Sequence, residues 1–166
     1  TKFSKESFKF TKKVTKSFSN KYSKYELLNK SIKAKFEINL IKTKIRKKRV
    51  NFLEIGSGEG FILKEAVKEK NWNIVGIDFN KFGIKKFNKK ILKYFIETNP
   101  DEFLKNKIKK KSKFDVIVLN NVLEHVINPS SLLKKLNKLA KKSSVILISV
   151  PNDFSFLQLE ALKKKK

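Results

Sequence analysis

Residues able to hold and position a reactive ligand fall in four places. They are Glu54, the run Gly56-Ser57-Gly58-Glu59-Gly60, Asp78, and Asn120-Asn121 followed closely by Glu124 and His125. Glycines between a strand and a helix let backbone amides approach a ligand closely. Asp78 lies about twenty residues further on, at the end of the next strand-like segment, where an acid takes the hydroxyls of a ribose. Together these features imply an adenosine-containing cofactor lying across the strand ends of an α/β sheet. The spacing narrows the choice. A dinucleotide loop reads GxGxxG; here the pattern is GxGxG, and Phe61 stands where the third dinucleotide glycine belongs. A Walker loop needs a Lys after its glycines, and none follows. A carboxylate at Glu54 repels a pyrophosphate and suits a cationic ligand.

The elements that must position these residues alternate. Apolar residues at Leu27, Leu28, Ile32, Phe36, Leu40 and Ile41 predict a leading helix over Tyr25–Lys48, packed on the sheet by that face. Strands are predicted at Val50–Ile55, Asn73–Ile77, Lys93–Glu97, Phe114–Leu119 and Val145–Val150. Helices are predicted at Gly60–Lys70, Lys81–Lys90 and Pro129–Lys142, with a charged helix or turn at Pro100–Lys110. This alternation implies a doubly wound, mostly parallel Rossmann-like sheet with helices on both faces. Three regions follow: an N-terminal arm and leading helix (1–48), a core (49–153) and a C-terminal segment (154–166). The arm, polar with Phe at 3, 8, 10 and 18, reads as weakly ordered or as a cap over a site.

Charge is the extreme property of the composition. Lys and Arg number 41 of 166 residues, for a net charge of +26. That suits nucleic acid or an anionic membrane surface. The plainer account is a lysine-rich composition, since Arg occurs only at Arg46 and Arg49 and nucleic-acid sites favour Arg. Hence no specific nucleic acid is expected, and at most weak contact with anionic surfaces. Lysine is absent from Val50–Leu63, Asn71–Asn80, Phe114–Leu133 and Ser143–Leu162, while acids persist there. A cleft free of cations fits a cationic cofactor. With no Cys there is no disulfide framework or thiolate metal site. One His and scattered acids give no metal-ligand cluster. No apolar run spans a bilayer and no signal peptide is visible, so a cytoplasmic location is expected. The chain starts on Thr1 without Met, which leaves its true start open.

From about Arg49 to Asp153 the chain resembles the class I S-adenosylmethionine (SAM) methyltransferases. FLEIGSGEG matches their first motif and NIVGIDFN the motif with the ribose-binding acid. ETNPDEFL and FDVIVLNNVLEHVINP resemble the adenine-side loop and fourth-strand motif of ubiquinone-type O-methyltransferases; SSVILISVPND resembles the fifth strand of related small-molecule enzymes. The resemblance implies SAM as cofactor and roles for individual residues. Gly56, Ser57, Gly58 and Gly60 pass under the cofactor; Glu54 orients the methionine ammonium; Asp78 accepts from both ribose hydroxyls. Phe79 and Thr98 lie on the adenine side, and Asn120 and Asn121 line the methionine half. His125 is either a general base or a brace for the segment before Pro129. The resemblance also implies further strands after the fifth, so the chain reads as truncated there.

Methyl transfer to a small-molecule or lipid-linked acceptor, at oxygen, is the expectation. Two alternatives stand beside it. An RNA methyltransferase suits the charge, but amino-group methylation of bases uses an Asn/Asp-Pro-Pro-aromatic turn where this chain has Asn120-Asn121-Val122-Leu123. A non-catalytic module keeping the fold is the other. Acceptor and oligomeric state stay open.

Overall fold

A computed structural model describes residues 22–152 and Glu160. The predicted arm before Tyr22, Asp153 at the end of the predicted core, and the rest of the predicted C-terminal segment lie outside the described residues. Five strands form one sheet: β1 (Val50–Ile55), β2 (Trp72–Asp78), β3 (Phe95–Glu97), β4 (Phe114–Asn120) and β5 (Ala140–Ser149). All neighbours pair in parallel, in the order β3-β2-β1-β4-β5. The helices are α1 (Lys24–Lys44), α2 (Phe61–Ala66), α3 (Phe82–Phe87), α4 (Pro100–Lys109) and α5 (Pro129–Leu139), with 3-10 turns at Lys89–Tyr94 and Leu123–His125.

A parallel sheet covered on both faces needs strands apolar on both faces. β1 and β4 meet that demand, with Phe52, Leu53, Val116, Ile117, Val118 and Leu119 all fully buried. Alternate residues feed two cores. Phe52, Val116 and Val118 meet Ala34, Ile38 and Ile41 of α1 and Ile62, Leu63 and Ala66 of α2. Leu53, Ile117 and Leu119 meet Leu104 of α4 and Leu132, Leu136 and Leu139 of α5. The sheet is therefore doubly wound, as its alternation predicts. Helix starts are set by local chemistry. Ser23 and Glu26 form a reciprocal capping box, and Asn99 and Asn128 accept from Asp101 N–H and Ser131 N–H (each 2.9 Å) ahead of Pro100 and Pro129. Strand order reverses between β1 and β4, which opens a crevice at their carboxyl ends.

Several expectations need correction. The apolar face predicted for α1 is packed only in part: Ile41 is buried and Leu27 half-buried, but Leu28, Ile32 and Phe36 are 56%, 57% and 65% exposed. The helix docks through Ala34, Glu37, Ile38 and Ile41. It also ends at Lys44, because the chain must turn at Ile45 to enter the buried start of β1. The first crossover helix stops at Ala66, where tighter bonds from Lys68 N–H to Glu65 and Glu69 N–H to Ala66 wind it down. The second gives way to the 3-10 turn at Lys89–Tyr94, leaving β3 only three residues. β5 begins five residues early, at Ala140. Ser144 Oγ donates to Phe114 O (2.7 Å) and Lys141 reaches Asp115, so a polar KKSS run joins the sheet through an irregular register with β4.

Asp115 anchors this amino end of the sheet. It is buried, accepts from Asn51 N–H (3.0 Å), and is flanked by Lys47 and Lys141 Nζ at 3.0 and 2.7 Å. Burial alone would raise its pKa; the amide and the two ammonium groups overcome that and hold it at about 2, below its usual 3.8. The folded value is depressed, so its contribution is present above pH 4 and is lost as pH falls toward 2. Asp115→Asn should lower stability at pH 7 by about 1–2 kcal/mol, discounted for the solvent-exposed lysines. It should also flatten the acid limb of stability between pH 4 and 2; chemical denaturation across that range checks both.

Candidate cofactor site

β1 ends in a loop whose amides are held to the next strand. Gly56 N–H and Ser57 N–H both donate to Ile77 O (2.8 and 3.1 Å), and Gly60 N–H closes the turn onto Ser57 O (2.7 Å). Gly56 and Gly58 have φ of 74° and 51°, conformations that side chains disfavour. Their surroundings differ. A Cβ on Gly56 would fall 2.4 Å from Val122 Cγ2, whereas nothing lies within 4 Å of one on Gly58. Gly58 therefore faces open space at the strand-order reversal. Gly83 lets α3 press on the loop from behind, since a Cβ there would meet Gly58 O at 2.8 Å.

Asp78 ends β2 beside that opening. Its Oδ2 accepts from Gly58 N–H (2.9 Å) and its Oδ1 from Asn80 N–H (3.3 Å). Phe79 N–H is a third donor to the same carboxylate, so of its roughly four acceptor positions part stays available. Burial raises its pKa, against the pull of those amides. Glu54 sits deeper. It is 3% exposed, and its Oε2 has no partner among the described residues. Burial, opposed by the Ser57 hydroxyl and Leu63 N–H and reinforced by the nearby charges of Asp78 and Glu37, pushes its pKa to about 8. A buried acid without a cation is destabilising to ionise and marks a functional-site candidate.

The remaining predicted residues fall around the same strand ends. Ser57 is buried against Gly76, whose absent side chain makes the room. Phe79 is half-buried just beyond Asp78. Thr98 follows β3 and donates its N–H to Asp78 O (2.9 Å), tying the two strand ends together. Asn120 closes β4. Asn121 turns the corner with φ of 54° and donates its N–H to Ser149 O (2.8 Å). His125 stands apart: its side chain is 77% exposed, with only Glu124 near it at 3.9 Å.

α1 adds residues that the sequence did not mark. Glu37 is buried, and Asn120 Nδ2 donates to its Oε2 (3.5 Å). Burial raises its pKa, with Lys33 opposing. Lys33 Nζ donates to Asn120 Oδ1 (3.2 Å) and Ser149 Oγ (3.4 Å). Further along the crevice, Tyr22 OH donates to Glu59 (3.0 Å), and Lys30 lies 3.6 Å from the same carboxylate. The crevice is thus not free of cations, as the lysine-poor loops suggest. α1 supplies two, across a long sequence gap that no local pattern reveals.

Known proteins resemble this chain in sequence and fold. A family profile for the methyltransferase domain matches residues 23–165. The ubiquinone biosynthesis O-methyltransferase of Pelagibacter ubique is 35% identical over 109 residues, covering 63% of this chain and 43% of that protein. The Pasteurella multocida protein of the same name is 31% identical, covering 60% and 46%. The chain thus spans less than half the length of these two relatives. Among solved structures, the plantazolicin methyltransferase BpumL in complex with S-adenosylhomocysteine (SAH) and a desmethyl-plantazolicin analogue aligns with a TM-score of 0.57 at 27% identity, over 72% of this chain and 46% of that one. A SAM-dependent methyltransferase from Archaeoglobus fulgidus shares the fold, with a TM-score of 0.64 at 23% identity over 86% and 65%. With its all-parallel sheet, glycine loop and strand-end acid, the chain belongs to the methyltransferase-domain family of the class I SAM-dependent methyltransferases.

Proposed function

We propose that this chain is the cofactor-binding core of a SAM-dependent methyltransferase acting in the cytoplasm on a small-molecule or lipid-linked acceptor, at oxygen. The observation that carries the reading is Glu54: a buried carboxyl with an unpartnered oxygen, on the strand that runs into the glycine loop and close to the charge of Asp78. The residues fit SAM, whose ammonium answers a buried acid and whose ribose answers Asp78. Bound SAM supplies an activated methyl group on a sulfonium.

The chain's own residues bind and orient. Glu54 takes the methionine ammonium, with Glu37 as a second acid nearby. Lys33, between Asn120 and Ser149, gives the methionine carboxylate a cation. The remaining acceptor capacity of Asp78 takes the ribose hydroxyls, and its bond to Gly58 N–H keeps the loop under the ligand. Phe79 and Thr98 flank the adenine side, and Asn121 fixes the corner where acceptor and methyl group meet. Holding the acceptor in line with an activated methyl group supplies much of the rate by positioning alone.

Exposure makes His125 a poor base in this arrangement. His125→Ala should leave SAH affinity within about twofold and transfer within about tenfold, whereas loss of a general base costs about a hundredfold or more. The function is tested by transfer of a labelled methyl group from SAM to a panel of phenols, lipid-linked phenols, peptides and RNA. Label in a phenolic acceptor, reduced by Asp78→Ala at sub-saturating SAM, supports the reading; label in RNA alone overturns it. Among the described residues no helix is long and apolar enough to cross a membrane, so a lipid-linked acceptor would be met at a surface.

A further inference from the structure

At the opposite end of the sheet from the glycine loop, a cavity of about 230 Å³ opens between the end of α1, the loop into β1 and the start of β2. Its walls include Lys42, Lys47, Lys48, Lys70, Glu69 and Trp72. Trp72 starts β2 and Asp78 ends it, which puts the cavity about 20 Å from the cofactor site.

Charge here is not evenly neutralised. Lys42 pairs with Glu69 (2.7 Å) and Lys47 with Asp115 (3.0 Å). Lys48 and Lys70 have no ion pair among the described residues. Composition explains lysines anywhere on this chain, but not three further facts. The chain's only arginines, Arg46 and Arg49, flank Lys47 and Lys48 on the same loop. Its only tryptophan, Trp72, lines the same cavity and is half-buried. That indole stacks on Phe52, with ring centroids 5.6 Å apart, so it is a fixed platform and not a mobile side chain.

We propose that this cavity binds a small organic phosphate carrying a flat ring, of the nucleoside monophosphate class. Lys48 and Lys70 hold the phosphate and Trp72 meets the ring. Two unpaired ammonium groups on one rim recognise a compact dianion. An indole beside them favours a planar partner, as aromatic platforms do for bases. The volume lies below the usual range for drug-sized ligands, which favours a mononucleotide over a longer chain. The proposal is independent of the methyl-transfer reading.

Trp72 is a built-in reporter. The chain, first saturated with SAH to block adenine binding at the strand ends, is titrated with AMP near physiological salt while tryptophan fluorescence is followed. Ribose 5-phosphate, adenosine and short duplex DNA are titrated in parallel. Saturable quenching by AMP is expected, with adenosine and ribose 5-phosphate each at least about tenfold weaker, because each lacks one half of the contact. The Lys48→Ala, Lys70→Ala double variant should lose at least about tenfold in AMP affinity, with SAH affinity and melting temperature unchanged. Both side chains are exposed, so the variant should fold. AMP binding that survives the double substitution overturns the proposal. So does duplex DNA that binds more tightly than AMP at equal phosphate, which would make the patch a polyanion surface.

Discussion

Glu54→Gln should weaken SAH binding by about 30- to 200-fold at pH 8, or about 2–3 kcal/mol, the size of a buried charge pair that loses one partner. The same substitution should stabilise the empty protein in alkali. The Glu54 carboxyl titrates near pH 8 when folded and at its usual 4.5 when unfolded. Between these values the folded state holds one more proton than the unfolded state, so stability falls as pH rises from about 4.5 to about 8. The full effect is on the order of 3–5 kcal/mol. Glutamine cannot ionise, so its curve should stay flat where the wild type declines. The two proteins should differ least near pH 5 and most near pH 8.5. Denaturation without ligand reads the stability arm and calorimetry with SAH the binding arm. A residue important only for structure would not improve one while damaging the other.

Asp78→Ala should act in one direction only. It strands the backbone N–H groups of Gly58 and Asn80 and removes the ribose acceptor, so SAH affinity should fall about 5- to 150-fold, about 1–3 kcal/mol. Asp78→Asn separates the two causes. An amide oxygen can still accept from Gly58 N–H and hold the loop, but it offers the ribose fewer acceptors. Adenosine, which keeps the ribose without the amino acid, should be affected by Asp78→Asn and not by Glu54→Gln. A variant pair that lost adenosine binding equally would place both acids in a purely structural role.

Much of this site was legible in the sequence because its parts are local. β1 runs over Val50–Ile55 as predicted, since a six-residue segment with Val50, Phe52, Leu53 and Ile55, bounded by Arg49 and Gly56, admits few other readings. The glycine loop and Asp78 sit on either side of one crossover, and the right-handed βαβ rule brings them together. Glu37 and Lys33 were not legible. Each sits on a helix crowded with lysine, where one acid among cations reads as a solvated ion pair. Only docking of α1 on β4 and β5 turns Glu37 inward, to Asn120 eighty-three residues away. The same docking shifted the packed face of α1, keeping Ile41 of the predicted stripe but leaving out Leu28, Ile32 and Phe36. Leu28, Ile32 and Phe36 form the more apolar stripe, yet the small Ala34 allows the close approach that Ile38 and Ile41 then consolidate. Helix periodicity reports that two faces exist; packing volume decides which is buried. The early start of β5 failed for a related reason, because KKSS enters the strand through Asp115 and Phe114 O, partners far away in sequence.

One titration bears most directly on whether Glu54 receives a cofactor ammonium. SAH is titrated into the chain at pH 7 by calorimetry, in two buffers of different ionisation enthalpy, and the difference counts the protons exchanged on binding. A carboxyl that titrates near 8 in the empty site is protonated at pH 7 and must ionise to meet the ammonium. Release of close to one proton per SAH is therefore expected, falling to near zero in Glu54→Gln. Binding of SAH with no proton released, and with unchanged affinity in Glu54→Gln, would contradict the account.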